Sequence, residues 1–525
     1  MRWKQSLVAT ALGVALVAAA CGGDNKASTG ATSTAGGATT TAASAGGAST
    51  TGGGSSGGGT TKLSIGETLA PVSLDISQES GAAIPQALLY NVYETLVRID
   101  DQGKFQPLLA KEWKVSPDGV TYTFTLNDNI VFANGDALTS DTVKQSFDYN
   151  AANTKAPAII KGTFAPVASV TAPDPKTVDV TQKQPSRDFL FNIAQTGGVV
   201  IDPASRTDIA TKTNGSGPFA VTNYTTNASL TLAANPKYWG TKPALTDVVF
   251  RYYSDANALA NALKAGDIQI VDNITPELFD QFKKDTANYE TVNGTSSGET
   301  ILAMNNARAP LDNVKVRQAI TYAINKQDVN AIAEQGLAKI IGSHASSNDP
   351  WFKDLSNTYP YDVNKAKQLL QEAGVSNVNL TLDVIPTPYA QASAPVIKDQ
   401  LAKVGINVTL NNVEFPLWID KDFTKGDFDL TIVAHVEARD TSLYGNPNYY
   451  WHYNNPQVQQ LLKEADAATD EAKSNQLYGQ VLDQINADAV NDWLFLLPRL
   501  EVVKKGITGY PTGSYSLSYD ITGIK

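Results

Sequence analysis

QPLLAKEWKVSPDGVTYTFTLNDNIVFANGDALTSDTVKQSFDY, residues 106–149, decides the reading of this chain. Val120, Tyr122, Phe124 and Leu126 alternate with Thr121, Thr123 and Thr125, the period-two pattern of a half-buried strand. Pro117, Asp118 and Gly119 before them supply a fixed φ, a local acceptor and a φ > 0 position, so Trp113 to Leu126 reads as a hairpin. Asn134 and Gly135 mark a further turn, and Thr139 to Asp141 suit the start of a helix running through Phe147.

The order of these residues resembles the signature region of the family 5 extracellular solute-binding proteins, the oligopeptide- and dipeptide-binding subunits of ABC importers. Further blocks resemble the same family in the same order: Ser73-Leu74-Asp75, Tyr90 to Val97, Gly215 to Phe219, Asn235 to Gly240, Asn261 to Asp267, Leu311 to Ile320 and Tyr361 to Gly374. Ile76 departs from it, standing where the family usually has proline. The resemblance implies an α/β, two-lobed periplasmic-binding-protein-like fold (type II, cluster C-like) with an extra subdomain in the first lobe. It also implies capture of a peptide or similar small solute for an ABC permease and, through it, the ATPase. An oligosaccharide, opine or nickel complex is the alternative ligand within that fold, and a surface protein or hydrolase is a remote alternative outside it.

The N-terminus has its own logic. Arg2 and Lys4 precede an apolar run from Leu7 to Ala20 that ends in three alanines before Cys21. At about 14 residues the run is shorter than the roughly 20 that span a bilayer, so 1–20 reads as an export signal. Cys21 is the only cysteine, which excludes an internal disulfide, and its position resembles a lipoprotein acylation site. Two acyl chains would anchor the protein stably to the outer face of the cytoplasmic membrane. Residues 21–61 are almost wholly Gly, Ala, Ser and Thr; such a coil is a tether of roughly 35 Å end to end. A Gly53-x-Ser55-x-Gly57 match inside it lacks the strand and helix that a nucleophile elbow needs.

The remaining chain exceeds what one core usually serves, and it is divided into a first lobe at 62–300, to which 498–525 returns, and a second lobe at 301–497. The first lobe opens with a strand at Leu63 to Ile65 and a helical pattern carrying Ala87, Leu88, Tyr90, Asn91 and Leu96. It continues with a strand at Leu245 to Tyr253 and a helix from Asn257 to Lys264, ending at Gly266. In the second lobe strand 380–385, helix 390–404, strand 406–411 and strand 428–433 imply a parallel sheet. The apolar run Trp493 to Leu497 reads as the return to the first lobe.

A ligand in such folds lies between lobes. By position, the resemblance implicates Gln78 to Ala82, and so Glu79, Ser80 and Gly81, as backbone contacts, and Trp418 as a cleft-lining ring. Where peptide-binding relatives carry a tryptophan and then an aspartate for the peptide's amino terminus, this chain has Ala434-His435-Val436-Glu437-Ala438-Arg439-Asp440. His435 replaces the tryptophan, and Glu437 or Asp440 offers the carboxylate, since an ammonium group pairs with one when both are desolvated. A solvated loop or local ion pair of Glu437, Arg439 and Asp440 is the competing reading. Tyr449, Tyr450 and Trp451 belong to a ring-rich stretch suited to gripping varied ligands, or simply to packing.

Three histidines without zinc-hydrolase spacing, and no thiol beyond Cys21, point away from an enzyme. His435, Glu437, Asp440 and His452 are read as hydrogen-bonding residues rather than metal ligands, so no metal and no cofactor are expected. A formal net charge of -11 without a basic tract argues against nucleic acid. A monomer is expected.

Overall fold

The computed structural model describes residues 61–78, 82–186, 188–294, 296–436, 438–513 and 515–525. The expected export signal, Cys21 and nearly all of the tether lie outside the described residues, as do Glu79, Ser80, Gly81 and Glu437.

Two mixed sheets organise the chain into a two-lobed α/β fold. The first has seven strands in the order Tyr289–Gly294, Arg499–Lys504, Ile270–Val271, Lys62–Glu67, Asp247–Tyr252, Ser229–Ala234, Phe219–Thr225. The second has six, in the order Lys339–Ile340, Asn491–Leu496, Glu299–Met304, Leu430–His435, Val378–Val384, Ile406–Asn412. Val378–Val384 runs parallel to both of its neighbours, joined to Ile406–Asn412 through the helix Pro388–Ala402. That is the strand, helix, strand unit the alternation implied. Among the described residues the chain passes between the two sheets twice, after Gly294 and after Leu496.

The hairpin expected over Trp113 to Leu126 is present as Ala110–Val115 and Thr121–Leu126, paired antiparallel. Tyr122, Phe124 and Leu126 point into the core. Its turn closes with Ser116 accepting from Gly119 N at 2.8 Å, and Gly119 takes φ 73°, a left-handed conformation that needs no Cβ. With Thr177–Gln182 and Val167–Asp174 the hairpin forms a separate four-stranded antiparallel sheet, the extra subdomain of the first lobe, with its own core around Phe124, Phe147 and Phe189. The helix Ser140–Ala152 begins with a capping box between Thr139 and Thr142, which satisfies orphan amides at its start. Farther on, the helix Ala256–Ala265 ends on Gly266 at φ 85°.

Two expectations are corrected. The helix carrying Ala87 covers only Ala83–Leu88; Tyr90 has φ 65° and Leu89 bridges to Tyr93. The backbone beyond Leu88 is used elsewhere: Phe219 N donates to Asn91 O and Gly217 N to Val92 O, at 2.9 and 3.0 Å. Asn91 Nδ2 meanwhile donates to Ala87 O and Tyr519 O. Tertiary bonding therefore overrides an apolar spacing that looks helical. The second correction concerns Trp493 to Leu497, whose strand Asn491–Leu496 lies wholly buried in the second sheet. The return is made by the next strand, Arg499–Lys504, paired antiparallel with Tyr289–Gly294. Among the described residues no helix is long and apolar enough to cross a membrane.

Candidate functional site

The strand Leu430–His435 is buried along its whole length and delivers His435 at its end. Arg439 then adopts φ 64° and starts the 3-10 turn Asp440–Gly445, which brings Asp440 and Tyr444 back beneath the strand. Asp440 sits between two imidazoles. One oxygen lies 2.7 Å from His344 Nε2 and the other 3.2 Å from His435 Nδ1. The far nitrogen of each ring meets a tyrosine: His435 Nε2 lies 3.0 Å from Tyr450 Oη, and His344 Nδ1 lies 3.2 Å from Tyr444 Oη. Burial pushes the Asp440 carboxyl up, but His344 and His435 more than offset it and hold it well below the usual carboxylate range. The donor atoms of His344, His435 and Asp440 all lie within 4.8 Å of one another, so the chemistry of the set suits a divalent transition ion as well as shared protons.

Aromatic rings enclose this triad. Tyr449 and Trp451 meet edge to face at 4.4 Å, Tyr444 stacks on Trp451 at 4.5 Å, and His435 stacks on Tyr450 at 6.0 Å. Trp418, at the end of the helix Phe415–Trp418, packs on Tyr450 at 5.9 Å and donates from Nε1 to Thr431 Oγ1 at 2.9 Å. Thus Trp418, His435, Asp440, Tyr449, Tyr450 and Trp451, singled out from sequence, converge in one buried network. Tyr444, a member of the same ring-rich stretch, completes it together with His344, which was not singled out. His344 sits in Gly342-Ser343-His344-Ala345-Ser346, a stretch without periodicity or motif, and only tertiary contact reveals its role.

The space between the lobes lies to one side of this network. A cleft of about 240 Å³ is lined by Phe105, Trp113 and Tyr122 of the first lobe and by Trp351, Arg439 and Tyr478 of the second. None of the six converging residues lines it. Trp351 stacks on Tyr478 at 4.3 Å and donates to Thr441 Oγ1 at 3.2 Å, tying the cleft wall to the turn that carries Asp440. Arg439 Nε donates to the Tyr515 hydroxyl at 2.9 Å, and that hydroxyl donates to Asp349 at 2.6 Å. Asn348 Nδ2 also bridges the lobes, to Asp101 O at 3.1 Å. Arg439, Trp351 and Tyr515 were likewise missed as site residues. Arg439 read only as part of a charged loop, and the other two lie far from it in sequence.

A second buried charge cluster flanks the return crossing. Arg499 pairs with Asp272 at 2.9 Å, and Gln86 Nε2 donates to Glu67 and Asp272 at 3.0 and 2.9 Å. Tyr519 donates to Glu501. Burial, with Asp272 adding to it, pushes Glu501 up to about 8 and raises Glu67 well above its ordinary value. Three carboxylates around one guanidinium cannot all ionise cheaply without water.

Comparisons with known proteins agree with this architecture. The model of the family described as bacterial extracellular solute-binding proteins, family 5 Middle, matches residues 104–457. The chain is 28% identical over 451 residues to the probable D,D-dipeptide-binding periplasmic protein DdpA of Escherichia coli (strain K12), covering 80% of this chain and 86% of that one. It is 27% identical over 455 residues to the di/tripeptide-binding protein 1 of Pseudomonas aeruginosa (strain UCBPP-PA14), covering 78% and 84%. Among solved structures, AgaA in complex with agropinic acid, from A.tumefacien R10, superposes with a TM-score of 0.72 at 26% identity, covering 88% of this chain and 98% of that one.

Proposed function

The chain belongs to the bacterial extracellular solute-binding proteins of family 5, and on that premise we propose that it captures peptides or similar small solutes between its lobes and delivers them to an ABC permease. The observation that carries the reading is the aromatic cleft between two lobes that, among the described residues, are joined by two crossings. Such a hinge lets a ligand stabilise the closed form by touching both sides. The histidine and tyrosine network beneath the strand Leu430–His435 acts as a floor that fixes the end of that strand and the turn from Asp440. Direct contacts are assigned to Glu437 and to Glu79, Ser80 and Gly81. No bond is made or broken in this function. The rest of the assignment follows the sequence: export by 1–20, acylation at Cys21, a tether to residue 61, lobes at 62–300 with 498–525 and at 301–497, and a monomer at the outer face of the membrane.

The names of DdpA and the Pseudomonas protein favour di- and tripeptides; AgaA, with agropinic acid bound, favours a non-peptide solute as the second reading. Native mass spectrometry of gently purified protein, together with thermal shifts against a panel of di- to pentapeptides, separates them. A co-purified peptide and a stabilising subset of the panel are expected. A flat response to every peptide with a bound non-peptide mass would overturn the peptide reading, and turnover of an ester or peptide bond by the pure protein would overturn the non-enzymatic one.

A further inference from the structure

We propose that His344, His435 and Asp440 form a binding site for a divalent transition ion of the zinc type, buried in the second lobe and separate from the cleft between the lobes. Their donor atoms all lie within 4.8 Å of one another. Asp440 stands 2.7 Å from His344 Nε2 and 3.2 Å from His435 Nδ1. Ligand bonds of about 2.0–2.1 Å put neighbouring donors of a tetrahedral zinc about 3.3 Å apart, so modest shifts admit the ion. Two imidazoles with a carboxylate suit zinc and its transition-metal neighbours, whereas magnesium and calcium take oxygen ligands. Glu299 lies opposite His435 in the sheet register and brings a second carboxylate to this end of the sheet, so the two charges of the ion meet two acidic groups.

An ion accounts for what hydrogen bonding leaves open here. His344 is fully buried, and among the described residues its Nε2 has no aligned hydrogen-bond partner, so the approach to Asp440 is a charge contact that leaves the bonding direction of the nitrogen unanswered. Trp451 is equally buried, and its Nε1 donor also lacks a partner among the described residues. Its ring centroid lies 5.5 Å from that of His435 and 6.1 Å from that of His344. Buried polar atoms without partners are costly and rare. An ion answers Nε2 of His344, and a water on its fourth position answers Trp451. The far nitrogens are already held by Tyr450 and Tyr444, outer contacts of the kind that orient ligating imidazoles. Tyr444 Oη accepts from Asn491 and Trp493 at 2.9 and 3.1 Å, so its own proton turns to His344 Nδ1 and the ring proton of His344 sits on Nε2. The ion takes the place of that proton, and uptake releases it. Thr441 Oγ1 donates to His344 O at 2.7 Å and accepts from Trp351 Nε1 at 3.2 Å, so a loaded site braces the cleft wall from beneath.

The probe is zinc alone, with no peptide present. Full-length protein stripped with a chelator is dialysed against zinc, bound metal is counted by plasma mass spectrometry, and the melting temperature is followed in parallel. The wild type is expected to take up one ion per chain and to melt at a higher temperature when loaded. Changing an outer partner costs about 10- to 100-fold in metal affinity, so Tyr450→Phe should weaken uptake by about that factor, and His435→Gln and Asp440→Asn by at least as much. His452→Asn, at the one histidine outside the set, should bind as the wild type does. A wild type that takes up no zinc, or is not stabilised by it, overturns the proposal. So does uptake that survives both ligand changes or is lost with His452→Asn. Should the ligand variants not fold, cobalt(II) in the wild type decides: the intense visible bands of a tetrahedral site support the proposal, and the faint spectrum of a hydrated six-coordinate ion overturns it.

Discussion

Replacing Asp440 by asparagine tests whether the buried triad is the floor of the site. The carboxylate is about 10% exposed and spans two imidazoles at 2.7 and 3.2 Å. Removing one member of a buried charged set costs roughly 3–5 kcal/mol, because the partners stay desolvated without their counter-charge. The amide keeps one acceptor oxygen, which restores about 1 kcal/mol, leaving a net loss of roughly 2–4 kcal/mol. Urea unfolding followed by tryptophan fluorescence reads this directly, since Trp451 packs on the triad at 5.5 Å from His435. The sign with pH is also fixed. The folded Asp440 carboxyl ionises well below its usual range, so its contribution is complete above the unfolded value of about 3.9 and is lost as pH falls through the folded one. The gap between wild type and Asp440→Asn should therefore be full at about pH 5 and shrink on acidification below about pH 4. A loss under about 0.5 kcal/mol, the level of an ordinary surface change, or a gap that widens in acid, would refute the reasoning.

Three further outcomes are expected. Glu501 has a folded value of about 8, above the unfolded value of about 4.3, so its stabilising contribution is complete below the latter and lost as pH rises through the former; wild-type melting temperature should fall between about pH 5 and pH 9, Glu501→Gln should flatten that fall, and an unchanged slope would count against the assignment. In Gly215→Ala the new Cβ would stand 1.8 Å from Val92 O, a backbone atom whose partner loop cannot withdraw, so thermal unfolding should show a loss of at least about 2 kcal/mol. Trp418→Phe removes a buried donor to Thr431 and some packing volume and should cost about 1–3 kcal/mol; solute affinity should stay within about threefold, under 1 kcal/mol, and a larger drop would return Trp418 to the ligand-contacting role the resemblance implied.

Features set by nearest neighbours could be read before any coordinates. Thr121 to Leu126 alternates because one face is buried, Gly119 and Gly266 sit where φ must be positive, and Thr139 caps with Thr142 three residues on. Each depends on residues within one turn or strand. The helix expected to continue past Leu88 fails for the opposite reason, as the carbonyls of Asn91 and Val92 are claimed by residues more than 120 positions away. The site behaves the same way. His435, Asp440 and Tyr450 were visible as a polar and aromatic stretch, but His344 joins them from nearly 100 residues earlier and the rings around Arg439 come from four separate segments. Nothing local to His344 or Tyr515 marks them, and the division between buried floor and open cleft arises only when the two lobes meet.

Closure around a solute is the claim on which the rest depends, and a distance between the lobes measures it most directly. Spin labels at Thr222→Cys and Lys403→Cys, both exposed and on opposite lobes, in a background with Cys21 replaced, report that distance by pulsed electron resonance. With a saturating peptide identified from the panel, the distribution should collapse from a broad set that includes longer distances to a single shorter one. An unchanged distribution at saturation would contradict capture by lobe closure.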